Sequence, residues 1–137
     1  MTTDIVVGID GSENSELAFA WALDEAALRG VRLRAVLTWT YLGSSPALRG
    51  PLTTEDEAQG FLAGFVDRMA GDRAKLVDAV TVNDLPAPGL LDQAADAALV
   101  VVGSRGLGGV KGMVLGSVSR TIVERTPVPV VVVPHRD

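Results

Sequence analysis

At 137 residues the chain has room for one domain and little room for a second, and its 47% apolar content is enough to build a sizeable core. No apolar run approaches the roughly 20 residues a membrane helix needs; the longest, 98–103 and 128–134, have strand length. A net charge of −5 argues against a nucleic-acid backbone as partner, because phosphate backbones are met by basic faces. A small phosphate ligand is not excluded, since backbone amides hold one without net positive charge.

Strand and helix signals alternate from the start. Residues 5–9 form a short apolar run rich in β-branched side chains, closed by Asp10-Gly11-Ser12. Ser12 is a good N-cap, and Glu13 and Glu16 suit the positive end of a helix. The pattern over 17–28 is helical, with Leu17, Ala20, Trp21, Ala27 and Leu28 expected on one face, and Gly30 is placed to stop it. Residues 31–38 read as a second strand. Residues 39–53, with Gly43, Ser44, Ser45, Pro46, Gly50 and Pro51, have no period and read as a long loop, expected to act as a mobile lid carrying Trp39 and Tyr41.

Thr54-Glu55-Asp56-Glu57 is a capping box that predicts a helix to about Ala70. Residues 76–82 read as a third strand, and Pro86 or Pro88 opens a short helix ending near Ala97. Residues 99–103 read as a fourth strand, and after a glycine-rich loop a helix is expected over about 117–125. A last strand at 128–133 is punctuated by Pro127, Pro129 and Pro134. Strict alternation of this kind predicts a parallel sheet with helices on both faces, and the near-continuous Val and Ile runs suit strands buried on both sides. There is no internal repeat and no low-complexity tail.

The segment with the most chemistry runs from Gly103 to Ser119 and holds six glycines between a strand and a helix. It has two readings: a flexible connection that uses glycine for turns, or a cradle in which backbone approaches a phosphate closely. Its position, with Ser117, Val118 and Ser119 at a helix start where free amides and the helix dipole attract anions, favours the cradle. A Walker A loop is excluded because Lys111 precedes Gly112 rather than following it. The dinucleotide fingerprint fails too: its third glycine falls on Lys111, and it belongs after the first strand.

The spacing that fits is Gly103-x-x-Gly106, nine residues, then Gly116-Ser117, which resembles the ATP-binding signature of universal stress proteins. The resemblance covers nearly the whole chain and includes Ile5-Val6-Val7-Gly8-Ile9-Asp10-Gly11-Ser12 at the start and Thr126-Pro127-Val128-Pro129-Val130-Val131-Val132-Val133 at the end. One departure lies outside the nucleotide signature: the family's Gly-Asp-Pro-Ala type turn reads here Asp84-Leu85-Pro86-Ala87.

The resemblance implies a single domain over 1–137 with an open five-stranded parallel sheet of order 3-2-1-4-5, adenine nucleotide alpha hydrolase-like. Strands one and four are then neighbours at a switch point, where open α/β sheets bind ligands. By resemblance, Gly8, Ile9 and Asp10 line the ribose and adenine side, and Val36, near the end of strand two, offers its backbone to adenine. Gly103, Gly106, Gly116, Ser117, Val118 and Ser119 hold ribose and phosphates. The implied ligand is ATP, with Mg2+ as a candidate counter-ion and no metal ligand named. Universal stress proteins commonly dimerise through the last strand, so a homodimer through Val130, Val131, Val132 and Val133 is expected, these residues being apolar and without the charges that protect a sheet edge.

Other readings of single residues stay open. Asp10 either meets ligand or simply caps the helix that follows. Arg105 and Lys111 neutralise phosphate or are solvated, the second being favoured, and His135 reads as an exposed terminal residue. No carboxylate pair, metal-ligand cluster or Ser-His-Asp order is evident. A receiver domain is rejected, since strand one ends in the single acid Asp10 and the last strand ends Pro134-His135-Arg136. The function expected is a nucleotide-occupancy module of the stress response without dedicated catalysis. The rivals are a slow ATPase or phosphotransfer enzyme and a nucleotide-free interaction module. The chain lacks cysteine, and Met1-Thr2-Thr3-Asp4 lacks the basic segment and apolar core of a secretory signal, so the setting expected is cytoplasmic, without nucleic-acid or membrane partners.

Overall fold

The computed structural model describes residues 2–40, 52–105 and 115–135. In chain order these form β1 (Ile5–Ile9), α1 (Glu13–Arg29), β2 (Leu33–Trp39), α2 (Glu55–Ala70), β3 (Val77–Asn83), α3 (Pro86–Ala94), β4 (Leu99–Gly103), α4 (Ser117–Arg125) and β5 (Val130–Val133). The five strands make one parallel sheet, as their alternation with helices predicts, in the order β3-β2-β1-β4-β5 that the resemblance implies.

Alternation along the strands divides the core into two layers. Ile5, Val7 and Ile9 of β1, with Leu33, Ala35 and Leu37 of β2 and Val101 of β4, pack beneath Ala18, Phe19, Ala22 and Leu23 of α1 and Leu62 and Phe65 of α2. Val6, Val36, Val100 and Val102 point the other way, onto Leu90 and Ala94 of α3 and Ile122 of α4. Helices therefore cover both faces, and β1 and β4 are buried on both, which is why they read as unbroken apolar runs. Phe19 and Phe65 close the first layer edge to face, with ring centroids 5.3 Å apart.

Helix ends follow their signals. Ser12 caps α1 by accepting from Ser15 N, Thr54 caps α2 by accepting from Glu57 N, and Gly30 ends α1 in the left-handed region at φ 69°. Besides β2, which runs from Leu33 to Trp39, three elements shift their boundaries. A 3-10 turn, Gly71–Leu76, follows α2 and displaces β3 by one residue; α3 stops at Ala94; β5 begins only at Val130.

The buried face of α1 is not the expected one. Asn14, Ser15, Ala18, Phe19, Ala22, Leu23 and Ala26 face the core, whereas Trp21 is 38% and Leu28 83% exposed. Ala18, Ala22 and Ala26 recur every fourth residue, and their small side chains let the helix lie close to the sheet. Because α1 is apolar on both sides, the larger residues of the outer stripe drew the face assignment away from this alanine row.

Candidate functional site

The carboxyl ends of β1 and β4 flank the point where strand order reverses. Asp10 follows β1 directly, and its Oδ1 accepts from both Ser12 N (2.9 Å) and Ser12 Oγ (2.6 Å). Between them Gly11 sits at φ 82°, a conformation that L side chains rarely adopt. The carboxylate thus holds Ser12 in place while Ser12 caps α1, so the capping reading of Asp10 has a concrete geometry.

Across the crevice Gly103 ends β4, pairing with Val133 of β5. A Cβ on Gly103 would stand 2.8 Å from Asn14 Cγ. Asn14, in the first turn of α1, is 2% exposed, and both its amide oxygen and its amide nitrogen are hydrogen-bonded. Its Nδ2 donates to Val133 O (3.1 Å), and its Oδ1 accepts from Arg105 N (2.7 Å) and Ser104 Oγ (3.3 Å). Ser104 is the matching node on the loop. Its N–H donates to Val133 O (2.8 Å), its Oγ accepts from His135 N (2.9 Å), and its carbonyl accepts from Gly116 N (2.7 Å) and Ser119 Oγ (2.8 Å). Four chain segments converge here: the start of α1, the exit of β4, the end of β5 and the start of α4.

The α4 start, like that of α3, lacks the side-chain cap that α1 and α2 carry. Gly116 occupies the N-cap without any side-chain cap bond, and Ser117 and Val118 are exposed in the first turn. First-turn amides have no partner within a helix, so this end presents donors toward the crevice. Gly116 has φ −75° and ψ 174°, open to any residue, so a need for positive φ at Gly116 is not the reason for glycine there. Ser119 is 4% exposed and turns its hydroxyl inward, to Ser104 O and to Gly116 O (3.1 Å). Its side chain pins the loop's far end to its near end, and only its backbone is left for a ligand.

Gly8 and Ile9 lie within β1, Ile9 facing the α1 layer and Gly8 meeting Leu90 of α3. Val36 is not at the strand end. It is the fourth of seven residues in β2, 2% exposed and registered with Gly8 and Val80 on either side. The strand starts and ends later than the sequence pattern predicts, so Thr38, Trp39 and Thr40 occupy the carboxyl end. Trp39 belongs to the strand rather than to a lid: it is 5% exposed and donates from Nε1 to Glu55 Oε2 (3.0 Å). Gly106, Lys111 and the lid segment 41–51 lie outside the described residues.

Sequence reasoning missed Glu55 as well as Asn14 and Ser104. The Glu55 carboxylate collects Thr81 Oγ1, Gln59 Nε2 (3.0 Å) and Trp39 Nε1, which hold it below the usual carboxylate range, Thr81 most of all. It ties the first turn of α2 to the ends of β2 and β3. No group of three or more His, Cys, Asp or Glu that would hold a metal ion occurs among the described residues. No helix among them is long and apolar enough to cross a membrane.

The profile of the universal stress protein family matches residues 1–134. The chain belongs to that family. A universal stress protein of Mycobacterium tuberculosis is 46% identical over 138 aligned positions, covering 93% of this chain and 43% of the relative. One from Mycolicibacterium smegmatis is 42% identical, covering 96% and 46%. This chain thus spans less than half the length of those relatives. Among solved structures, a universal stress protein in complex with cAMP superposes with a TM-score of 0.69 at 27% identity, covering 96% of both chains. The Archaeoglobus fulgidus universal stress protein in complex with dAMP gives 0.67 at 25%, covering 96% of this chain and 97% of that one. The sheet order and these neighbours place the fold in the adenine nucleotide alpha hydrolase-like class.

Proposed function

We propose that this domain, residues 1–137, binds an adenine nucleotide in the crevice between β1 and β4, with ATP and Mg2+ as the physiological pair, and that it acts by occupancy rather than turnover. The observation that carries the reading is the convergence at the switch point. Gly103 closes β4 without a side chain, and the uncapped first turn of α4 is tethered beside it through Gly116 N and Ser119 Oγ to Ser104 O. Exposed amides and a helix dipole at that spot suit the phosphates. Gly8, Ile9 and Asp10 flank the adenosine side, with the end of β2 beyond them. The cAMP and dAMP bound by related structures support the ligand class.

The readout is a second copy of the chain. β5 is an edge strand whose four valines are all half-buried and uncharged, so its outer backbone groups are a template for a twofold antiparallel partner. Mass spectrometry under native conditions of the protein as purified, followed by calorimetric titration of the emptied protein with ATP, ADP, AMP and cyclic AMP, tests the ligand assignment. A nucleotide that copurifies and rebinds at micromolar concentration is expected. Failure of all four to bind would overturn it.

A further inference from the structure

We propose that Asn14 is a positioning residue for the phosphates: it fixes the mouth of the glycine loop by anchoring it to the end of β5. This rests on the nucleotide reading above and adds a residue to it.

Asn14 packs against Gly103, buried in a helix turn whose neighbours Ser12 and Ser15 satisfy each other. A buried amide is costly unless it is hydrogen-bonded, and here its oxygen and its nitrogen are both bonded, by two different segments, the exit of β4 and the end of β5. Its Oδ1 takes the N–H of Arg105, the residue following Ser104, and so sets the direction in which the chain leaves β4. Its Nδ2 takes the carbonyl of Val133, the last residue of β5. Val133 O is shared with Ser104 N, so the same oxygen holds the loop directly and through Asn14. Gly103 makes this possible, because any side chain there would occupy the place of the Asn14 amide.

The loop thus leaves the sheet along a path set by Asn14 and returns at Gly116 to the carbonyl of Ser104. Both ends of the segment that would wrap the phosphates are tied to one residue, and that residue is oriented by Asn14. A shorter side chain at position 14 leaves the sheet and the adenosine side in place but frees the direction of Arg105. The effect therefore falls on the phosphate-dependent part of affinity.

The test compares ATP with adenosine in calorimetric titrations of the native protein, Asn14→Ala and Asn14→Ser, with thermal unfolding to verify that each variant is folded. The expected result is a loss of ATP affinity of about tenfold or more, the scale of one misplaced hydrogen bond to a charged group, with adenosine affinity unchanged. If the variants lose ATP and adenosine in parallel, or keep both, Asn14 is a packing residue and the proposal fails. If the native protein binds neither ligand, the nucleotide reading itself fails and takes this inference with it. If Asn14→Ala does not fold, Asn14→Ser decides, because its hydroxyl keeps a polar group at the site and too short a reach for both Arg105 N and Val133 O.

Discussion

Replacing Gly103 with alanine tests the packing at the crevice most directly. The added Cβ would stand 2.8 Å from Asn14 Cγ and 3.0 Å from both Nδ2 and Oδ1. Carbon atoms in contact prefer roughly 3.5–4.0 Å, so something must give by about 0.7 Å. The backbone of β4 is held by β1 as far as Val101 and by β5 at Gly103 itself, so the Asn14 side chain is the part expected to move. Its bonds to Val133 O and Ser104 Oγ are already 3.1 and 3.3 Å, and such a shift breaks them. Overpacking and an orphaned buried amide each cost about 1–3 kcal/mol, and since one relieves the other the expected loss is about 2 kcal/mol rather than the sum. For a chain of this size that lowers Tm by about 7 °C. The decisive arm is the double variant. In an Asn14→Ala background the space is vacant, and Gly103→Ala should cost less than about 0.5 kcal/mol, giving a coupling of about 1.5 kcal/mol or more. Calorimetry or urea unfolding of the four proteins reads it. An equal cost in both backgrounds would refute the reasoning.

Gly116→Val should fold normally, since φ −75° suits valine, yet bind ATP about tenfold more weakly if the phosphates approach that backbone; unchanged calorimetric affinity would remove Gly116 from the site. Phe19→Ala, which empties a fully buried position beside Phe65, should destabilise by about 3–5 kcal/mol in urea unfolding; a cost under about 1 kcal/mol would mean that the first layer is not packed as described. Glu55, Glu57 and Asp78 have folded pKa values below their ordinary ones, through Thr81, Thr53 and Arg32 respectively, so their stabilisation is present above about pH 4 and is lost as pH falls through the lower folded values. Tm should fall as the pH drops below about 4, and Glu55→Gln should flatten that slope; a parallel slope in the variant argues against the Glu55 cluster. Val131→Lys should yield a monomer that keeps nucleotide affinity, because β5 lies one strand beyond the crevice; light scattering of the native protein at one chain, about 14 kDa, would end the dimer reading.

What was legible in the sequence follows from which forces are local. β1, β4 and α4 fall on their expected residues because β-branched runs and helix starts are written in consecutive positions. The order of the strands came from the family resemblance. Val36 shows where local reading slips. A strand expected over 31–38 starts and ends late, at Leu33 and Trp39, and a residue thought to reach the ligand becomes a mid-strand core residue. The 3-10 turn at Gly71–Leu76 leads into the amino end of β3, and the bond from Trp39 to Glu55 lies at the carboxyl end of β2. Neither has a periodic signature.

Asn14 was illegible for a different reason. In Ser12-Glu13-Asn14-Ser15 every residue suits a helix start, so the asparagine carries no local surplus of information. Its role depends on Val133, 119 positions away, and on Arg105, 91 away, through a gap that exists only because Gly103 lacks a side chain. Glycine at Gly103 was read as room for a ligand, while the closest neighbour of its missing Cβ is the protein's own amide. The same absence serves both ends: it lets Asn14 reach beneath the loop, and in doing so it fixes the loop that a phosphate would meet. A signature built from glycines therefore encodes, in this chain, the packing of a buried polar side chain as much as the approach of a nucleotide, and the two separate only when ATP and adenosine are compared in the same variant.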